Sequence, residues 1–153
     1  MEIKDFSYGC RFTDEDFALF SEKQLSKMKL LSKEETSGIW YSYCDNEILP
    51  LSYFIKDIIA HKLPVLSNDC GWGDEEAERA TKNLLETEMR DYIEGYINVC
   101  YDDENALKVS TRLFCDKWSD FCYPSDYLII DLGDRALLYY EDTIYYLDKI
   151  ENI

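Results

Sequence analysis

The sequence predicts an α+β fold: a helical N-terminal half, then a mainly antiparallel β-sheet with a crossover helix in the C-terminal half. Three observations lead there. Before residue 95, helix-capping signals precede apolar residues at helical spacing. After Gly95, short alternating segments are separated by Asp, Asn and Gly turns. The composition, 153 residues with 46% hydrophobic and 15% aromatic, suits one domain over 1–153 with a sizeable core.

The elements follow in order. In "FTDEDFALF", Thr13 offers an N-cap with acids in the first turn. "SEKQLSKMKLL" begins with Ser21 and has Gln24 three residues on, a capping box. Ser32 and Glu35 repeat that spacing, and Ile39, Trp40, Tyr43 and Cys44 follow as a helical stripe. Pro50 interrupts, and Leu51, Phe54, Ile55, Ile58 and Ile59 form another stripe that ends near His61. "PVLSNDCGWGD" reads as a loop. Asp74 caps the next helix, with Ala77, Ala80, Leu84, Leu85, Met89 and Tyr92 expected on its core face.

Gly95 ends that helix. Ile97, Val99 and Tyr101 then alternate with Tyr96, Asn98 and Cys100. "DDEN" at 102–105 is a turn and "ALKVST" the returning strand, which makes a hairpin. Thr111 is expected to cap a short helix whose core face is Leu113, Phe114, the Lys117 stem and Trp118. "DYLIIDL", a turn at Gly133–Asp134, "RALLYY", a turn at Glu141–Asp142 and "TIYYL" complete a three-stranded meander. Period-2 alternation would turn about half of this last aromatic cluster inward and leave the rest in water.

Charge limits the function. Sixteen Lys plus Arg face thirty-two Asp plus Glu, a net of −16. Residues 1–33 are neutral in sum, so the whole excess falls after them. Such a balance argues against nucleic acid and anionic membrane as partners, because both demand basic residues. It favours a basic protein partner, attracted and steered by the field.

No catalytic frame is visible. His61 is the single histidine and has no nucleophile elbow beside it. "DDEN" lacks the glycine and distal glutamate of a calcium loop. "GWG" at 71–73 is no phosphate loop. None of the six cysteines forms a C-x-x-C, so no metal and no cofactor is expected. The start, "MEIKDFSYGC", carries no signal-peptide pattern and no apolar run could span a membrane. The expectation is a cytoplasmic protein with reduced thiols.

The run "INVCYDDENALKVSTRLFCDKWSDFCYPSDYLIIDLGDRALLYY" resembles a family of short, acidic, uncharacterised bacterial proteins. It also resembles, more loosely, the immunity proteins of contact-dependent growth-inhibition and polymorphic toxin systems. The resemblance implies a protein without catalysis that neutralises a cognate toxin by binding it, many such toxins being nucleases with basic clefts. The residues expected to form that contact are Trp72, Asp74, Glu75, Glu76, Glu78, Asp102, Asp103, Glu104, Tyr139, Glu141, Asp142 and Tyr145. The alternatives are a small enzyme using carboxylate or cysteine chemistry, and an adaptor for a basic cellular protein.

Overall fold

The computed structural model describes residues 6, 8–13, 20–44, 63–67, 70, 73–122, 125 and 127–150. The stripe expected over 51–59, His61 and Trp72 lie outside them. The architecture is α+β. Seven described strands form one antiparallel sheet: β1 (Met28–Leu30), β2 (Val65–Ser67), β3 (Tyr96–Cys100), β4 (Ala106–Ser110), β5 (Tyr127–Asp131), β6 (Arg135–Tyr140) and β7 (Thr143–Asp148). Their spatial order is β1-β4-β3-β5-β6-β7-β2. The five central strands thus come from residues 96–148, and the two edges come from the first half.

Helices pack on both faces of this sheet. Face one carries Ile97, Val99, Leu107, Val109, Leu128, Ile130, Leu137, Tyr139 and Ile144. It meets α4 (Glu75–Glu88), α5 (Thr111–Asp116) and α6 (Trp118–Cys122). The indole N–H of Trp118 donates to the Glu78 carbonyl at 3.2 Å and so pins α6 to α4. Phe121 collects Phe12, Phe20 and Phe114 at centroid distances of 5.4–5.6 Å, in tilted and edge-on contacts that suit ring quadrupoles. Face two carries Cys100, Ala106, Ile129, Ala136, Leu138 and Leu147 under Trp40 and Tyr43 of α3 (Lys33–Tyr43).

Double coverage corrects the hairpin expectation. Ala136, Leu137, Leu138 and Tyr139 of β6 are all buried, because a strand covered on both faces has no water side to alternate with. Tyr139, expected at the contact surface, is only 4% exposed and belongs to the core.

The capping boxes Ser21–Gln24 and Ser32–Glu35 are both formed. After the first, however, the helix stops: α2 spans Glu22–Leu25 and Met28–Leu30 is strand β1. Tertiary pairing overrode local propensity, since Met28, Lys29 and Leu30 oppose Val109, Lys108 and Leu107 and Met28 then fills face one. Val65–Ser67, expected as loop, is strand β2 against β7 for the same reason.

Three smaller corrections concern helix ends and faces. Thr13 closes α1 (Cys10–Thr13), and its hydroxyl donates to Gly9 O; residues 14–19, which it was expected to cap, lie outside the described residues. Ser110, not Thr111, caps α5, accepting from Leu113 N. The buried line of α4 is Thr81, Leu85 and Met89, while Ala80 and Leu84 face solvent. Thr81 fits there because its hydroxyl donates to Cys70 O.

Candidate functional site

The register places two acidic turns at the same end of the sheet. Cys100 opposes Ile129, and Tyr127 opposes Tyr140. The end of β3, the start of β5 and the end of β6 therefore coincide. The turns 102–105 and 141–142 leave from this end, about three strand spacings or ~14 Å apart. The N-terminal half of α4 is tied to the same place through Thr81. Cys70 N donates to Asp142 O at 2.9 Å, and Cys70 O accepts from Thr81. Asp74 lies only four residues beyond Cys70 in the chain. The structure thus gathers Asp74, Glu75, Glu76, Asp103, Glu104, Glu141 and Asp142 around one end.

Not all of these carboxylates are free. Asp74 Oδ1 accepts from Glu76 N and Ala77 N as the α4 cap. Asp102 is consumed by its own turn: it accepts from Glu104 N and from Asn105, and also from the Tyr8 hydroxyl. Asp103 accepts from Tyr41 at 3.0 Å. Asp142 accepts from Tyr139 at 3.1 Å. Glu104 faces Lys33 at 3.6 Å in an exposed pair, worth little in water. Glu78 and Tyr145 are half-buried. The exposed acids whose side chains accept no hydrogen bond from the described residues at this end are Glu75, Glu76, Glu104 and Glu141.

The tip of the β6–β7 hairpin is strained. Glu141 and Asp142 have φ of 46° and 60°. Both central residues of a type I′ turn need this conformation, for which Asn-Gly is the relaxed choice. A glutamate there meets its own Cβ clash.

Face two holds a polar row that sequence reasoning missed. Lys29 opposes Lys108, Lys108 opposes Asn98, and Asn98 opposes Asp131. One line of polar residues therefore crosses four strands. At its inner end Asp131 is 5% exposed. Its oxygens accept from the Tyr43 hydroxyl at 2.5 Å, Gly133 N at 3.1 Å and Asn98 Nδ2 at 3.0 Å. Burial, then this hydrogen bond, push the Tyr43 phenol well above its ordinary value. With its donors arranged so, Asp131 is a satisfied buried carboxylate that fixes α3 on the sheet. At its outer end the row opens into a cleft of about 270 Å³ lined by Ser26, Lys27, Met28, Lys29, Tyr96 and Lys108. The available sequence signal was the spacing of Lys23, Lys27, Lys29 and Lys33 in an acidic chain.

A second cavity of about 290 Å³ lies between α4 and α5, lined by Glu86, Arg90, Ile93, Arg112, Cys115 and Asp116. Three of its four charged residues are paired: Lys82 reaches Asp116 at 2.9 Å and Glu86 at 3.7 Å, and Arg112 pairs with Glu94. Burial pushes the Cys115 thiol up to about 12, so it is no nucleophile near neutrality. Burial likewise raises Cys44 to about 12, and Cys100 and Cys122 rise well above the usual thiol range. Among the described residues, no three of His, Cys, Asp and Glu gather as metal ligands, and no helix is long and apolar enough to cross a membrane.

Residues 1–147 match the family described as a protein of unknown function, DUF2947, and the chain belongs to that family. No curated protein and no solved structure matches it.

Proposed function

We propose that the protein is a stoichiometric binding module of the immunity type. It would present its acidic end to a basic, nuclease-like toxin domain in the cytoplasm and neutralise it by occupying the toxin's cleft. The observation that carries this reading is the gathering of Glu75, Glu76, Glu104 and Glu141 at one end of the sheet. A net charge of −16 would steer a basic partner towards that end and speed encounter. The strained Glu141 adds support, because stability alone would place Asn-Gly in this turn. Among the described residues, the buried set Tyr43–Asp131–Asn98 that a catalytic reading could use is turned inward, with Tyr43 and Asn98 both donating to Asp131.

The test is co-expression with the product of the adjacent gene. The expected result is a 1:1 complex whose association slows as salt rises. The triple variant Glu75→Lys, Glu76→Lys, Glu141→Lys should slow association by about tenfold or more at low ionic strength, with the native fold retained by far-UV circular dichroism although two lysines in the first turn of α4 lower its melting temperature. An association rate indifferent to both salt and charge reversal would overturn the proposal.

A further inference from the structure

We infer that the cleft at the β1 edge binds a phosphorylated small molecule of nucleotide size, with its phosphate on Lys27, Lys29 and Lys108 and its ring on Tyr96. This does not rest on the acidic-end reading and concerns a different part of the surface.

Charge is the first argument. The chain carries −16, yet three of the six residues lining this cleft are lysines and none is acidic. Elsewhere Lys33, Lys82 and Lys117 each reach a carboxylate. Lys27, Lys29 and Lys108 form no ion pair among the described residues. The carboxylate whose field Lys29 and Lys108 share is Glu35, which is held by the Ser32 backbone N–H at 3.3 Å.

Register is the second. Lys29 and Lys108 stand directly opposite each other on one face, an arrangement of like charges that costs stability. A phosphate between them would turn that repulsion into a pair of contacts, with each ammonium acting as a compact point charge. Lysines on an edge strand can also simply block strand addition. That accounts for Lys29 on β1, but not for Lys108, whose strand is paired on both sides.

Shape and chemistry are the third. Tyr96 lines the same cleft and is 60% exposed, more than any other large apolar or aromatic side chain among the described residues. It stands on the face of Asn98 and Lys108, since side chains two apart share a face and Asn98 opposes Lys108. An exposed ring beside ammonium groups is what a base-plus-phosphate ligand needs. The cleft, about 270 Å³, falls just below the usual range for drug-sized small-molecule sites, which begins at about 300 Å³. That fits one nucleoside monophosphate and not a longer chain.

The experiment is amide-resolved NMR of the full chain, titrated separately with AMP and inorganic phosphate. Saturable shifts are expected at residues 26–29, 96 and 108. AMP should bind about tenfold tighter than phosphate, because only AMP stacks. Tyr96→Ala should remove that difference and leave phosphate affinity in place. Lys29→Gln with Lys108→Gln should weaken both about tenfold or more, with a melting curve no lower than the parent's, since both side chains are exposed and their like-charge pair is relieved. Absence of saturable shifts at these amides into the millimolar range would overturn the inference. So would shifts that survive the double lysine variant. So would concentration-dependent self-association lost in that variant without ligand shifts, which would make a second copy's acidic end the occupant.

Discussion

Tyr43 and Asp131 are 88 residues apart in sequence and 2.5 Å apart in the fold. Tyr43→Phe removes the hydroxyl donor from a buried carboxylate, so it should cost about 1–3 kcal/mol by urea denaturation. The same tyrosine sets an alkaline limit. Burial first, then Asp131, raise its folded pKa above that of an unfolded tyrosine, and burial does the same for Tyr139. This stability is fully present below the unfolded value near pH 10 and is lost as pH rises beyond it. In a spectrophotometric tyrosine titration, Tyr43→Phe should lower by one the number of phenols that ionise only with unfolding. Thr111 offers the opposite case. Its hydroxyl is buried without a partner among the described residues, so Thr111→Val should raise stability by about 1 kcal/mol in the same assay. None of this was legible in the sequence. A strand reading put Asp131 in "DYLIID", but its burial depends on α3 and Asn98, which no local pattern shows.

At the scale of elements, legibility followed the strength of local signals. Both capping boxes, the Asp74 cap and the two C-terminal turns could be read because short-range hydrogen bonds and backbone sterics fix them. β1 and β2 could not, because three-residue strands exist only through their partners β4 and β7. The core face of α4 was shifted because an apolar residue count assigned Ala80 and Leu84 inward, whereas buried Thr81 is paid for by its bond to Cys70 O. Two element-level outcomes follow. Asp74→Ala leaves Glu76 N and Ala77 N without their acceptor, and should lower stability by about 1 kcal/mol. Glu141→Asn relieves a left-handed glutamate, and should raise stability by about 1 kcal/mol. Thermal melts of the two variants should move in opposite directions. A Glu141→Asn variant that is more stable yet slower to associate with its partner would mark this turn as kept for contact.

At the scale of the molecule, charge is distributed with a direction. Acids gather at the end of turns 102–105 and 141–142, while Lys27, Lys29 and Lys108 sit at the β1 edge. The acidic gathering was partly legible, since its residues were named from the sequence but their proximity depended on strand register. The basic cleft was hidden by the net charge. Self-repulsion at −16 should make the fold more stable as salt rises from low ionic strength; melting temperatures measured across that range check this. The strand order carries one more consequence. The sheet's five central strands come from residues 96–148, and Phe6, Phe12, Phe20 and both edge strands wait to dock on them. A ribosome delivers the chain in the reverse order of need. The early segments emerge with nothing to pair against until the last third has been made, at some 5–20 residues per second. Folding is therefore deferred until β7 has been made. A stalled or truncated product lacking the C-terminal meander would have no scaffold, and its aromatic N-terminal segments would be exposed to chaperones and proteases.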